Sequence, residues 1–312
     1  MSTAPDTSTT TDADMDEDRE SDAALFEKYR PRKFHLHSPL TLGFPIGVMI
    51  LFVITGIFGP ALAPYDATEI DLINRLAETG FQANGSWDHA LGTDDLGRDV
   101  LSRLLNGARL SLFIVVVIIP LSTLIGGLVG LFAAWIGGWT SRLLMGLVDL
   151  QMALPGILLA VLFASIFGPS LRNVVIVLVI FLWSSQARIV RSEALALSET
   201  DFVLAARTIG CTDARIMFRH ILPNLLNTIV ILATLNVATV IIAEAGLSYL
   251  GVGVDQQTIS WGKMISEGRD VLSIAWWLVT IPGIAIITVS LAGNLFGDWL
   301  RDALDPRLRH AR

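Results

Sequence analysis

Cysteine, lysine and charge of either sign are all scarce in this 312-residue chain. The single cysteine, Cys211, cannot close an internal disulfide or supply a multi-thiolate metal site. Charged residues make up 16% of the chain, well below the roughly 25% of an ordinary soluble domain. No HExxH pair and no G-x-x-x-x-G-K-[ST] string occurs, so neither a zinc-protease helix nor a phosphate-cradling loop is encoded. No basic footprint for nucleic acid is present either. Lysine appears only at Lys28, Lys33 and Lys263, against 19 arginines. With the acidic residues described next, that scarcity fits a salt-loving source.

What the chain has instead is apolar bulk. Hydrophobic residues are 53% of the total and the mean hydropathy is +0.61. The formal net charge of −7 is unevenly spread. Residues 1–22 hold eight acids and one base, Arg19, while the remaining 290 residues hold 21 of each. Residues 1–24 therefore read as a disordered acidic cytoplasmic tail, too poor in large apolar side chains to offset the entropy of ordering. They lack the basic start and early apolar core of a signal peptide. Residues 25–39 turn basic and aromatic, as suits the cytoplasmic flank of a membrane span.

A helix needs roughly 20 apolar residues to cross a bilayer. Six runs qualify, near 40–62, 110–136, 143–167, 171–190, 225–247 and 274–296. The expected fold class is all-α, a polytopic membrane protein with one transmembrane domain over residues 40–312. Buried helices of a large soluble protein are a poor alternative, because the six runs fill about half the chain. With the N-terminus inside, 15 of the 22 basic residues fall on the inner side. That bias predicts cytoplasmic N- and C-termini.

Two connections exceed a simple turn. In the outer loop 63–109, Leu96, Val100, Leu101, Leu104, Leu105 and Ala108 share a helical face. Thr93 is the expected N-cap, Asp94 and Asp95 the first turn, and Asp99 with Arg103 an i,i+4 pair. This predicts an amphipathic helix lying on the membrane or on a partner. In the inner loop 191–223, Ser198-x-x-Asp201 is the expected start of one helix and Gly210 its stop. Thr212 is the expected cap of a second short helix reaching His220, and Pro223 the opening of the fifth span. Two short helices around a glycine corner make a docking knob that merely joining two spans does not require.

The string Ala205-Ala206-x-x-x-Gly210, followed by Leu222-Pro223, has the spacing of the coupling loop of ABC-transporter permeases. The stretches HALGTDDLGRDVLSRLLNGARLSL (89–112) and GGWTSRLLMGLVDLQMALPGILLA (137–160) extend the likeness. So do FVLAARTIGCTDARIMFRHILPN (202–224), AEAGLSYLGVGV (243–254), SWGKMISEGRD (260–270) and GDWLRDALDPRLR (297–309). Together they resemble ABC-transporter permeases of the dipeptide, oligopeptide and nickel family, and within it the second, C-type subunit. The likeness covers roughly residues 35–310. Leu204 stands where Glu is frequent in that family, and His220 where Ile is usual.

The resemblance implies a type I ABC importer permease in the plasma membrane. It implies a homologous permease as heterodimer partner, two cytoplasmic ABC ATPase subunits that carry ATP and Mg, and an extracytoplasmic solute-binding protein. This chain would be no enzyme, bind no cofactor or metal itself, meet lipid and not nucleic acid, and move di- or oligopeptides, with nickel or another small solute as the alternative. The resemblance assigns ATPase coupling to Ala205, Ala206, Gly210, Thr212, Asp213, Arg215, Arg219, Leu222 and Pro223.

Other polar residues carry less specific expectations. Gly92, Thr93, Asp94, Gly97, Arg98 and Asp99 are candidates for outer gating or contact with the binding protein. Asp149 and Glu244 are candidates for the translocation path, since an intramembrane carboxylate is functional by default. Asp149 also lies two helical turns from Arg142 and can pair with it. Asn227 and Asn236 suit bonds between helices, and Trp276 and Trp277 suit interfacial anchors. The rival function is a stand-alone secondary transporter or channel. It would need ion-handling residues beyond these two acids, and it leaves the inner knob without a purpose.

Overall fold

The computed structural model describes residues 39–304. The expected acidic tail, the basic-aromatic segment up to residue 38 and the last eight residues lie outside that range. The described residues contain helices and turns but no strand, the one bridge being Thr93 with Asp99.

Ten α-helices are numbered here in chain order. They are α1 (Pro39–Leu62), α2 (Val100–Ile136), α3 (Gly138–Ala153), α4 (Gly156–Phe167), α5 (Leu171–Ser198), α6 (Asp201–Thr208), α7 (Asp213–Ile216), α8 (Leu222–Tyr249), α9 (Trp261–Gly268) and α10 (Trp277–Leu304). Among the described residues, five helices are long and apolar enough to cross a membrane, and the α3–α4 pair makes a sixth crossing if the two are taken together. The end carrying residues 63–99 and 250–276 is called the cap end, and the end carrying 199–212 the loop end.

Three elements differ from the sequence expectation. The run 143–167 is not one straight helix: α3 and α4 meet at an angle of 82°. Pro155 explains the break. Its ring disfavours the helical conformation at the residue before it, and Leu154 is extended, at φ −87° and ψ 126°. Next, the amphipathic stretch 96–108 does not form a separate surface helix. From Val100 it is the first part of α2, a continuous 37-residue helix about 55 Å long. Thr93, Asp94 and Asp95 precede that helix; its N-cap is Asp99, whose carboxylate accepts the Ser102 N–H at 2.7 Å. Finally, α5 runs on through Ser198, so Thr200 and not Ser198 caps α6.

Helices α2 and α5 form the central contact. Gly126 and Gly130 permit it: a Cβ on Gly126 would stand 2.5 Å from the Trp183 carbonyl oxygen, and one on Gly130 2.4 Å from that of Ala187. Small residues four apart let two backbones touch where lipid offers no hydrophobic drive for association. The apolar core forms two clusters. The larger spans α2, α5, α8, α9 and α10 around Ile114, Leu178, Ile241 and Trp261. The smaller lies at the loop end, where Leu131, Val190, Ala194, Val203, Ala206, Ile216, Met217, Ile221 and Leu225 meet.

Candidate functional site

The loop-end cluster builds the knob that contains the expected coupling residues. Helix α6 ends in two bonds that satisfy its last carbonyls: Gly210 N–H donates to Arg207 O at 3.0 Å and Cys211 N–H to Ala206 O at 3.1 Å. This closure needs a left-handed residue just past the helix, and Gly210 has φ +80°. Thr212 sits at the N-cap of α7 without a side-chain bond. The second short helix does not stand apart from the fifth span. Asp213–Tyr249 is a single 37-residue helix, joined by a π-helical turn, Met217–Ile221. Pro223 therefore continues the helix where the sequence suggested an opening. It has no N–H to donate and its ring crowds the preceding turn; the widened turn provides room, and Asn224 Nδ2 donates to His220 O at 2.6 Å.

The two adjacent alanines face opposite ways. Ala206 is buried in the loop-end cluster with Val203 and Ile216, while Ala205 is exposed. The exposed surface also includes Phe202, Leu204, Ile209 and Phe218, with Ile209 80% exposed. Arg207, Thr212, Asp213, Arg215, Arg219 and Pro223 are exposed as well, Leu222 is half-buried, and the Arg207 guanidinium lies 5.6 Å from the Trp135 ring centroid. The four apolar side chains were not singled out as site residues from sequence. Their signal was a hydrophobic residue on the polar side of a short loop helix. Cys211 is half-buried and packs on the same cluster.

At the cap end, the segment 92–99 is a knot of buried polar groups. Asp94 accepts the N–H groups of Leu96 and Arg98, both at 2.9 Å, and Arg98 Nε at 2.7 Å. Arg103 does not pair with Asp99 as its spacing suggested. It bonds Asp94 and, at 2.7 Å, Glu267 of α9; Arg98 reaches the same Glu267 oxygen at 3.0 Å. Buried arginine–carboxylate pairs that satisfy one another lock geometry, and losing one partner strands the other. His89 Nδ1 lies 3.1 Å from Asp99. Thr93 bonds Asn74 O, and its backbone carbonyl accepts the Trp277 indole N–H at 3.2 Å. Trp277 is thus a core residue, 1% exposed, while Trp276 beside it is open. Gly97 has φ +76°, and a Cβ there would lie 1.7 Å from Asp71 O. Gly92 packs in the same way under Trp277.

The two intramembrane acids part company. Glu244 is enclosed, 1% exposed, and accepts the Ser248 hydroxyl at 2.7 Å. Ser248 Oγ in turn accepts the Val254 N–H at 3.4 Å, so the carboxylate ties α8 to the segment after it and does not front an open path. Asp149 is open and bonds Arg188 of α5, not Arg142, which lies against Trp139 instead. Asn236 bonds its own helix at Leu232 O (2.9 Å) and not a neighbour; Asn227 is exposed. Among the described residues no group of three or more His, Cys, Asp or Glu side chains is placed to hold a metal ion.

The profile of a family described as "Binding-protein-dependent transport system inner membrane component" matches residues 126–310. The chain is similar to the di/tripeptide transport system permease protein DppC of Pseudomonas aeruginosa, at 41% identity over 84% of this chain and 87% of that one. It is similar to the oligopeptide transport system permease protein OppC of Bacillus subtilis, at 38% identity over 84% of each. Among solved structures, a chain of the MetNI methionine ABC transporter in an inward-facing conformation superposes with a TM-score of 0.51 and 19% identity, covering 64% of this chain and 96% of that one. The shared fold is that of a type I importer permease.

Proposed function

The chain belongs to the family of binding-protein-dependent transport system inner membrane components, and from that premise we propose that it is the multi-pass permease subunit of an ATP-driven importer for short peptides. Relatives named for di/tripeptide and oligopeptide transport support the peptide class over nickel. The observation that carries the reading is the loop-end knob: a short helix on its own buried core, with Phe202, Leu204, Ala205 and Ile209 exposed on and just past it and Arg215, Phe218 and Arg219 exposed on the helical turns that follow. An exposed apolar patch rimmed by charge suits a protein partner.

In this reading the partners are separate chains. Two cytoplasmic ATPase subunits bind ATP and Mg and grip the knob, a homologous permease completes the path, and both termini of this chain are cytoplasmic. Closure of the ATPases pushes Thr212 to Arg219. Because Asp213–Tyr249 is one helix, about 55 Å long, displacement at its foot reaches Glu244 and Ser248 at the cap end. The ends of α2 and α5 share the knob's core, through Leu131, Val190 and Ala194, and move with it. Nucleotide then biases two conformations by contacts made outside this chain. At the cap end, Ile70, Leu72, Ile73, Phe81 and Trp87 are exposed and form the docking surface for the solute-binding protein. The buried segment 92–99 holds that surface on α2, α9 and α10, a positioning role for Gly92, Thr93, Asp94, Gly97, Arg98 and Asp99.

The test is reconstitution in liposomes. The chain with a sister permease, both ATPases and a binding protein takes up dipeptide only with ATP. Gradient-driven uptake by this chain alone would overturn the proposal in favour of a stand-alone transporter.

A further inference from the structure

The Asp149–Arg188 pair is out of place for a membrane helix. It joins α3 to α5, yet its side chains are 63% and 51% exposed. Both residues belong to segments apolar enough to cross a bilayer. Charged side chains at membrane depth face protein or water, because lipid solvates neither. Besides the exposed Trp139 and Met152, two stripes of exposed residues run along α3. Leu143, Leu147, Leu150 and Leu154 form one stripe, suited to lipid. Arg142, Gly146, Asp149 and Ala153 form the other, three or four residues apart and free of large apolar groups. On α5 the corresponding stripe is Ser185, Arg188 and Ser192, none of them buried.

The same stripes lead toward the cap end. Phe181 lies seven residues from Arg188 along α5, about 10 Å by helical rise, and Pro155 lies just past the end of α3, six residues on from Asp149. Both line an open apolar cavity of about 510 Å³ between α4, α5 and α8, walled also by Gly156, Leu178, Ile242 and Leu247. The nearest wall of that apolar cavity on α5, Phe181, thus lies about two helical turns from Arg188.

We propose that Asp149 and Arg188 form a substrate-contact site for the two charged termini of a short peptide, Arg188 taking the α-carboxylate and Asp149 the α-ammonium. The inference rests on the peptide-importer reading and adds a ligand class, the free zwitterion. A zwitterion exchanges one Asp–Arg contact for an Asp–ammonium and an Arg–carboxylate contact, and no charge is left unpaired. A simple anion or cation would strand one partner. The planar guanidinium matches a carboxylate through two parallel bonds. An exposed pair is held weakly enough to open and to let its ligand go. The apolar cavity accepts side chains without selecting among them, as a carrier of mixed peptides requires.

The test uses the complete reconstituted transporter with Asp149→Cys or Arg188→Cys, reacted with charged thiosulfonate reagents. The unsubstituted complex sets the background from Cys211. Both positions are expected to react from water. Dialanine is expected to slow the reaction about fivefold at about four times its dissociation constant, by simple occupancy. Dialanine blocked at both termini should not protect. Unreactive positions in every nucleotide state would place the pair inside a protein interface and overturn the proposal. Equal protection by blocked and free dialanine would overturn it too. The wild-type vesicles separate this from failure of the transport reading: if they show no ATP-driven dialanine uptake, the premise itself falls.

Discussion

Ala205 and Ala206 are adjacent in sequence and chemically identical, yet enlarging them should have opposite consequences. Ala206 is buried against Val203, Ile216 and Leu225. Leucine in its place adds three heavy atoms to a filled cluster, and overpacking of that kind costs about 1–3 kcal/mol. Such a loss lowers the ratio of closed to open knob about 5- to 150-fold. Ala205 points outward, and leucine there should change stability by no more than about 0.5 kcal/mol. It does, however, place a branched side chain on the face proposed to meet the ATPase. Hydrogen exchange over residues 201–221, ATPase-subunit retention on purification and substrate-stimulated ATP hydrolysis separate the two effects. Ala206→Leu should lose amide protection first, with coupling failing as a result. Ala205→Leu should keep protection and lose subunit retention and stimulated hydrolysis. Unchanged protection in Ala206→Leu, or lost protection in Ala205→Leu, would refute the assignment of faces.

Further expectations concern the cap end. Trp277→Leu strands the Thr93 carbonyl, at about 1–3 kcal/mol for an unsatisfied buried group, and should lower the melting temperature clearly, whereas Trp276→Leu should not. Asp99→Ala removes the N-cap of α2 at about 0.5–2 kcal/mol; Gly97→Ala drives a Cβ into Asp71 O and should expose residues 63–99 to protease in the folded-range temperatures where Asp99→Ala still protects them. Burial pushes Asp255 up, but hydrogen bonds from Thr258 and Gln257 outweigh it and hold its carboxyl below the ordinary 3.8. A carboxyl lowered in the folded state adds stability above its unfolded value and loses it as pH falls through the folded one. Amide protection at Gln257 and Thr258, referred to the intrinsic exchange rate at each pH, should therefore fall as the Asp255 carboxyl protonates below 3.8, and Asp255→Asn should remove the dependence.

The number of apolar runs, their approximate limits and the presence of a knob between the fourth and fifth could all be read from the chain. So could Gly210 as the residue that ends α6. These are properties of one segment at a time. Hydropathy adds up along a run regardless of what it packs against, and a glycine needed at positive φ is a local demand of the backbone. The 82° break at Pro155 had its signal too, since proline restricts the residue before it. The angle of that break, and the close approach of Gly156 to Phe181 beyond it, were not legible in the sequence.

Partner choice was decided only by the tertiary structure. Sequence spacing offered Arg142 to Asp149 and Asp99 to Arg103; the fold gave Asp149 to Arg188, Asp99 to the end of α2, and Arg103 to Asp94 and Glu267. It buried Trp277 and left Trp276 open, and it turned Ala206 inward and Ala205 outward. The physical reason is reach. An i,i+4 pair competes at a few tenths of a kcal/mol, while a buried charge must find a partner or cost several. The stronger requirement is met by residues up to 169 positions apart, whose proximity exists only once the helices have packed.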